Sequence, residues 1–125
     1  MMSYDIDPNN VLPQWAEGLD CAVTVCDSEG IILYMNERSR TTFAKYGDII
    51  GHSLFEYHPE RACEIIRRLL RDGVSNTYSI SKNGVKKIIH QTPWRLADGS
   101  VGGLVEISMV VPEEIPPPLR ESSKS

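Results

Sequence analysis

The sequence has little of what marks a catalytic, membrane-spanning or disulfide-built protein. Its three cysteines, Cys21, Cys26 and Cys63, cannot all pair and show no Cys-x-x-Cys spacing, which favours a reduced, cytoplasmic setting. No apolar run reaches membrane-spanning length, and no signal-peptide pattern is present. Glycine-rich nucleotide loops, HExxH and GxSxG are all missing, and no nucleophile–base pair stands out. His52, His58 and His90 are scattered without ligand spacing. Positive charge is in deficit, 13 Lys and Arg against 17 Asp and Glu, so nucleic acid is not the expected partner. An enzyme is therefore not expected, nor a membrane partner.

What is present is an ordinary globular composition, 41% hydrophobic and 24% charged over 125 residues, the size of one domain. The richest stretch runs from Val23 to Asn36. Val23, Thr24 and Val25 favour extended backbone, and Asp27-Ser28-Glu29-Gly30 has the residues of a tight reversal. Ile31 to Met35 reads as a second, buried strand. Asn36 is placed to cap a helix, with Glu37 at the positive end of its dipole.

That order of elements resembles the PAS domain, the small sensory fold of bacterial and eukaryotic signalling proteins, here in a short stand-alone bacterial form. Gly51-His52-Ser53-Leu54, His58-Pro59-Glu60 and Gly103-Leu104-Val105-Glu106-Ile107 support the resemblance, which covers about residues 19–111. It implies an α+β fold: a five-stranded antiparallel sheet in the order 2-1-5-4-3, with helices on one face. Residues 1–18 are read as an N-terminal arm and short helix, with Val11, Leu12, Trp15 and Leu19 on its apolar side. Residues 112–125 are read as a flexible Pro/Ser-rich tail.

Within the domain, Glu37 to Tyr46 is expected as one helix, with Ser39, Thr42, Phe43 and Tyr46 on one side. Pro59 to Asp72 is the clearest helix, its stripe Ala62, Ile65, Ile66, Leu69 and Leu70 opposite a solvated face of Glu64, Arg67, Arg68 and Arg71. Strands are expected near 76–81, 85–95 and 101–111, joined at Asn83-Gly84 and Asp98-Gly99. A two-residue loop at Asp98-Gly99 places Trp94 opposite Gly103, Gln91 opposite Glu106 and His90 opposite Ile107. Pro93 signals a bulge or an unpaired side.

The candidate cavity residues are Phe43, Tyr46, Phe55, Tyr57, Tyr78, His90, Trp94 and Glu106. Core packing also accounts for most of the aromatics. Glu106 needs solvent or a partner, and Gln91 is the partner the register offers. Strand alternation puts Gln91 and Glu106 on the opposite face from His90 and Trp94, and either pair can be the inward one. His58 and His90 are the weak haem-ligand candidates. Each also reads as an ordinary histidine, His58 in a loop or cap and His90 structurally satisfied or at a dimer surface. Arg61-Ala62-Cys63-Glu64-Ile65 lacks the reactive-cysteine motif of flavin-binding relatives, so flavin is not expected and Cys63 reads as filler.

The resemblance implies non-enzymatic sensing of a small-molecule ligand or signalling protein, as a homodimer. A haem-dependent gas or redox sensor and a ligand-free dimerisation adaptor are the alternatives. Many relatives end the last strand with Asp-Ile-Thr and continue into a helical linker. Here Val110-Val111-Pro112-Glu113-Glu114 stands instead, and the prolines oppose a helix.

Overall fold

Short-range bonds fix the first hairpin of the computed structural model, which describes residues 14–119. Strand β1 (Ala22–Asp27) and strand β2 (Ile32–Met35) pair antiparallel across the Asp27–Gly30 reversal. The Asp27 carboxylate accepts from the backbone of Glu29 at 2.9 Å and of Ile31 at 3.0 Å. Asn36 then caps helix α2 (Glu37–Thr42), its side chain accepting from Ser39 N–H. The helix expected to reach Tyr46 breaks at Phe43 and resumes as a 3-10 turn, Ala44–Tyr46. The cause lies in two successive threonines: Thr41 and Thr42 donate their hydroxyls to the carbonyls of Glu37 and Arg38, which loosens the last helical turn. Thr42 consequently faces solvent, while Ser39 is buried.

The long helix α3 (Glu60–Asp72) begins one residue later than expected, with Pro59 as its cap, and ends at Gly73. Its buried side is Cys63, Ile66 and Leu69. The arginine face is exposed, with Arg67 paired to Glu60 and Arg71 to Asp72. Strands β3 (Asn76–Lys82), β4 (Val85–Arg95) and β5 (Val101–Val111) complete a five-stranded sheet in the order β2-β1-β5-β4-β3. At the β3–β4 turn Asn83 and Gly84 both take positive φ, 52° and 77°, as a two-residue hairpin demands.

The β4–β5 register is the expected one, by two departures that cancel. Leu96 N–H donates to Ser100 O and Gly99 N–H to Leu96 O, so the loop is one residue longer than a two-residue turn. The register then shifts between Trp94 and Arg95, where Gly102 has no partner, and Trp94 returns opposite Gly103. Pro93 pairs with Leu104 of β5 but lies beyond the last β3–β4 pair, Asn76–Gln91, so its β3 side is unpaired.

The core gathers Cys26, Ile32, Met35, Ile49, Leu54, Ile66, Leu69 and Leu104 between α3 and one sheet face. The free edge of β2 is sealed by the segment after Ile49: Ile32 N–H donates to His52 O, and Gly51 N–H to Ile32 O. The short helix α1 (Gln14–Glu17) is tied on through Glu17, which accepts from Tyr34 and pairs with Arg40. Trp15 of α1 is exposed, and Val11 and Leu12, expected beside it, lie outside the described residues. After Pro112 the described tail has no helix or strand.

Buried protons make this fold sensitive to alkali. Burial, then the bond to Glu17, push the Tyr34 hydroxyl up to about 12. Burial pushes the Cys26 thiol up to about 11. The folded chain holds both protons more tightly than the unfolded one, so their stabilisation is whole below about pH 9 and is lost as pH rises toward 12. Urea midpoints are expected to fall over that window, and to fall less in Tyr34→Phe than in the wild type above pH 10. An unchanged pH profile in Tyr34→Phe contradicts the assignment.

Candidate functional site

Strand alternation decides which side chains meet the helices. Gln91 of β4 pairs with Glu106 of β5, and Glu106 with Thr24 of β1, so these share the inner face with Cys26 and Leu104. A polar row crosses this face. Asn76 donates to Gln91 at 3.0 Å and Gln91 to Glu106 at 2.9 Å. Beside it, the Thr24 and Ser39 hydroxyls bond at 2.5 Å. Gln91, only 3% exposed, has a partner at each end of its amide.

Two spaces adjoin this row. The first is an internal cavity of about 30 Å³ bordered by Thr24, Glu106, Phe43, Tyr57, His58 and a wall of core residues such as Ile66 and Leu104. The second is an open groove of about 390 Å³ between α3 and β3–β4, lined by Arg61, Ala62, Ile65, Asn76, Tyr78 and Gln91. The sheet wall and α3 are regular elements. The opposite wall is carried by Phe43 and by the stretch that includes the 3-10 turn Leu54–Tyr57, started by a Ser53 cap.

The expected site residues separate into three places. Phe43, Tyr57 and Glu106 border the cavity, as does His58. Tyr46 and Phe55 do not. Tyr46 is exposed and packs tilted against Tyr57, with ring centres 4.9 Å apart, while Phe55 lies under the Arg67 guanidinium at 4.6 Å. Tyr78 lines the groove, its hydroxyl pushed up by burial and by the nearby Glu106 charge. His90 and Trp94 are corrected outright: being even-numbered on β4, they point to the opposite sheet face from Gln91. There His90 bonds Thr77 at 2.7 Å, and the Trp94 indole reaches across Gly103 to donate to Cys26 O at 3.0 Å. Glu106 is half-buried and partnered, not a solvated strand residue. Thr24 and Ser39 were missed. The β1–β5 pairing that sets Thr24 opposite Glu106 was the signal that would have found them.

The donor set does not fit haem. His58 does border the cavity, but 30 Å³ takes water rather than a porphyrin, and His90 is on the far face. Among the described residues no cluster of three His, Cys, Asp or Glu could hold a metal ion, and no helix is long and apolar enough to cross a membrane. Cys63 is buried and donates to the carbonyls of Phe55 and His58, which makes it a filler with a structural bond.

Among curated protein sequences, none matches this chain significantly. Solved structures with the same fold include a PAS domain from Colwellia psychrerythraea, at 16% identity over 78% of this chain and 92% of that one, TM-score 0.62. The PAS domain of histidine kinase ThkA aligns at 18% identity over 73% of this chain and 99% of its own, TM-score 0.59. The Vibrio cholerae VqmA dimer, of the LuxR-type receptors, aligns at 21% identity over 80% of this chain and 50% of its own, TM-score 0.61. The sheet order, the α3-covered inner face and a family match over residues 16–115 agree, and the chain belongs to the PAS fold family.

Proposed function

We propose that this chain is a non-enzymatic sensory module that takes a small ligand between α3 and the inner sheet face and works as a homodimer. Glu106 carries the reading. A carboxylate facing an apolar cavity costs free energy that core packing alone does not return, whereas a ligand-binding wall needs such a group. A structural neighbour, VqmA, has been solved bound to DPO, which supports a ligand role for this fold without identifying a ligand here.

The cavity as built holds little more than water. A larger occupant must displace Phe43, Leu54, Tyr57 or His58, all on short or irregular segments. Binding and rearrangement are then one event, which supplies the unequal affinity for two states that signalling requires. Were the open state about 1% populated, the apparent affinity would fall about 100-fold. The outer sheet face offers a surface for a second copy: Val23, Ile88, Val105 and Ile107 are only half-buried there, beside His90.

The small cavity favours a second reading, a ligand-free dimerisation adaptor. Native mass spectrometry of gently purified protein separates the two. A dimer carrying a stoichiometric small mass supports sensing. A bare dimer that no small molecule perturbs supports the adaptor, and a bare monomer contradicts both.

A further inference from the structure

The hydrogen-bonding groups around the cavity are unbalanced. The strong side-chain donors near it are few, and most are engaged. Gln91 donates to Glu106, and its carbonyl accepts from Asn76. The Thr24 and Ser39 hydroxyls share one bond, which uses one of their two protons. The Tyr57 hydroxyl is held by His52 at 3.0 Å, on the solvent side. The Cys63 thiol is taken by two backbone carbonyls, which leaves one hydroxyl proton of the Thr24–Ser39 pair and the weak thiol of Cys26.

The stronger unused groups are acceptors. His58 Nδ1 lies 2.8 Å from Leu54 O, a contact that requires the proton on Nδ1. The other ring nitrogen, Nε2, is then the acceptor in the neutral imidazole, and it has no partner among the described residues. One Glu106 oxygen accepts from Gln91, and the second has no partner among the described residues. No Lys or Arg borders the cavity. An entering anion would therefore meet a carboxylate with no cation to offset it, a costly arrangement away from water.

We infer that the cavity selects a small, largely apolar ligand bearing N–H or O–H donors, neutral or cationic, and rejects carboxylates and other anions. The inference rests on the small-ligand reading above and adds the polarity of the ligand to it. Glu106 and His58 are its two acceptors, and the apolar wall of Ile32, Met35, Ile66 and Leu104 takes the ligand's hydrocarbon part.

Four probes of similar size test it at pH 8 by NMR shift titration: benzamidine, 2-aminopyridine, benzoate and toluene. Each is run on the wild type and on Leu54→Ala, which makes room without removing a polar group. Benzamidine and 2-aminopyridine are expected to bind at least tenfold more tightly than benzoate and to shift resonances of Glu106 and His58. Glu106→Gln is expected to weaken benzamidine at least tenfold and to leave toluene unchanged. His58→Phe provides an independent loss of one acceptor should Glu106→Gln not fold. Benzoate binding as tightly as benzamidine, or donors gaining nothing over toluene, overturns the inference while leaving the ligand site standing. Failure of every probe on both proteins overturns the small-ligand reading and the inference together.

Discussion

Asn36→Ala is expected to remove about 4 kcal/mol of stability and to lower Tm by roughly 20 °C, a large fraction of the margin of a domain this size. Asn36 is fully buried and uses all of its hydrogen-bonding capacity. Its Oδ1 accepts from Val23 N–H at 2.9 Å and from Ser39 N–H at 3.1 Å. Its Nδ2 donates to Ala16 O at 2.9 Å and to Cys21 O at 2.8 Å. One side chain thereby joins α1, the chain leading into β1, and the start of α2. Alanine removes the helix cap, worth about 1 kcal/mol, and leaves backbone groups from three other segments unpaired, at about 1 kcal/mol or more each.

Asn36→Asp dissects the effect. Aspartate keeps the acceptor and remains a good cap, but it turns an acceptor toward the Ala16 and Cys21 carbonyls. At pH 7 it should destabilise nearly as much as alanine. Protonation would restore a donor, so the variant should regain stability relative to wild type as pH falls below 5. Thermal melts at pH 7 and pH 4.5 check both statements. A variant as stable as wild type at pH 7 would show that the cap alone matters.

Asn36 also shows which parts of this protein were legible in its sequence. Its capping role is local and was readable from the residue and its position. Its bonds to Ala16 and Cys21 depend on tertiary placement and were not. The same division holds across the fold. Turn chemistry at Asn83-Gly84 and the stripe on α3 announce their elements, and the sheet order followed from the family resemblance. Which sheet face is inner was not readable. Both faces of the central strands are apolar, Cys26 and Leu104 on one, Val25 and Val105 on the other, and period-2 alternation labels faces without orienting them. The cavity's size was beyond reach too, because it is set by how Phe43, Leu54 and Tyr57 pack, not by their identity.

The β4–β5 crossing carries the second large effect. Gly103→Ala is expected to cost at least about 4 kcal/mol and to leave the chain largely unfolded at 37 °C. A Cβ at Gly103 would stand 1.9 Å from Cys26 O, 2.6 Å from the Trp94 indole nitrogen and 2.8 Å from Asp27 Cα. The obstacle is mainly backbone, so relief requires separating β1 from β5 in the middle of the sheet. Gly102 differs. There the three atoms nearest a Cβ all belong to the Trp94 ring, a side chain rather than backbone. Gly102→Ala should therefore cost about 2–3 kcal/mol in the wild type, and less than about 1 kcal/mol in a Trp94→Leu background. Gly103→Ala should keep most of its cost in that background, because the Cys26 carbonyl stays where it is. Urea denaturation of the two double-mutant cycles reads the difference directly. Equal rescue at both glycines would mean that the indole alone reserves the space, and that the strand backbones can part more easily than their pairing implies.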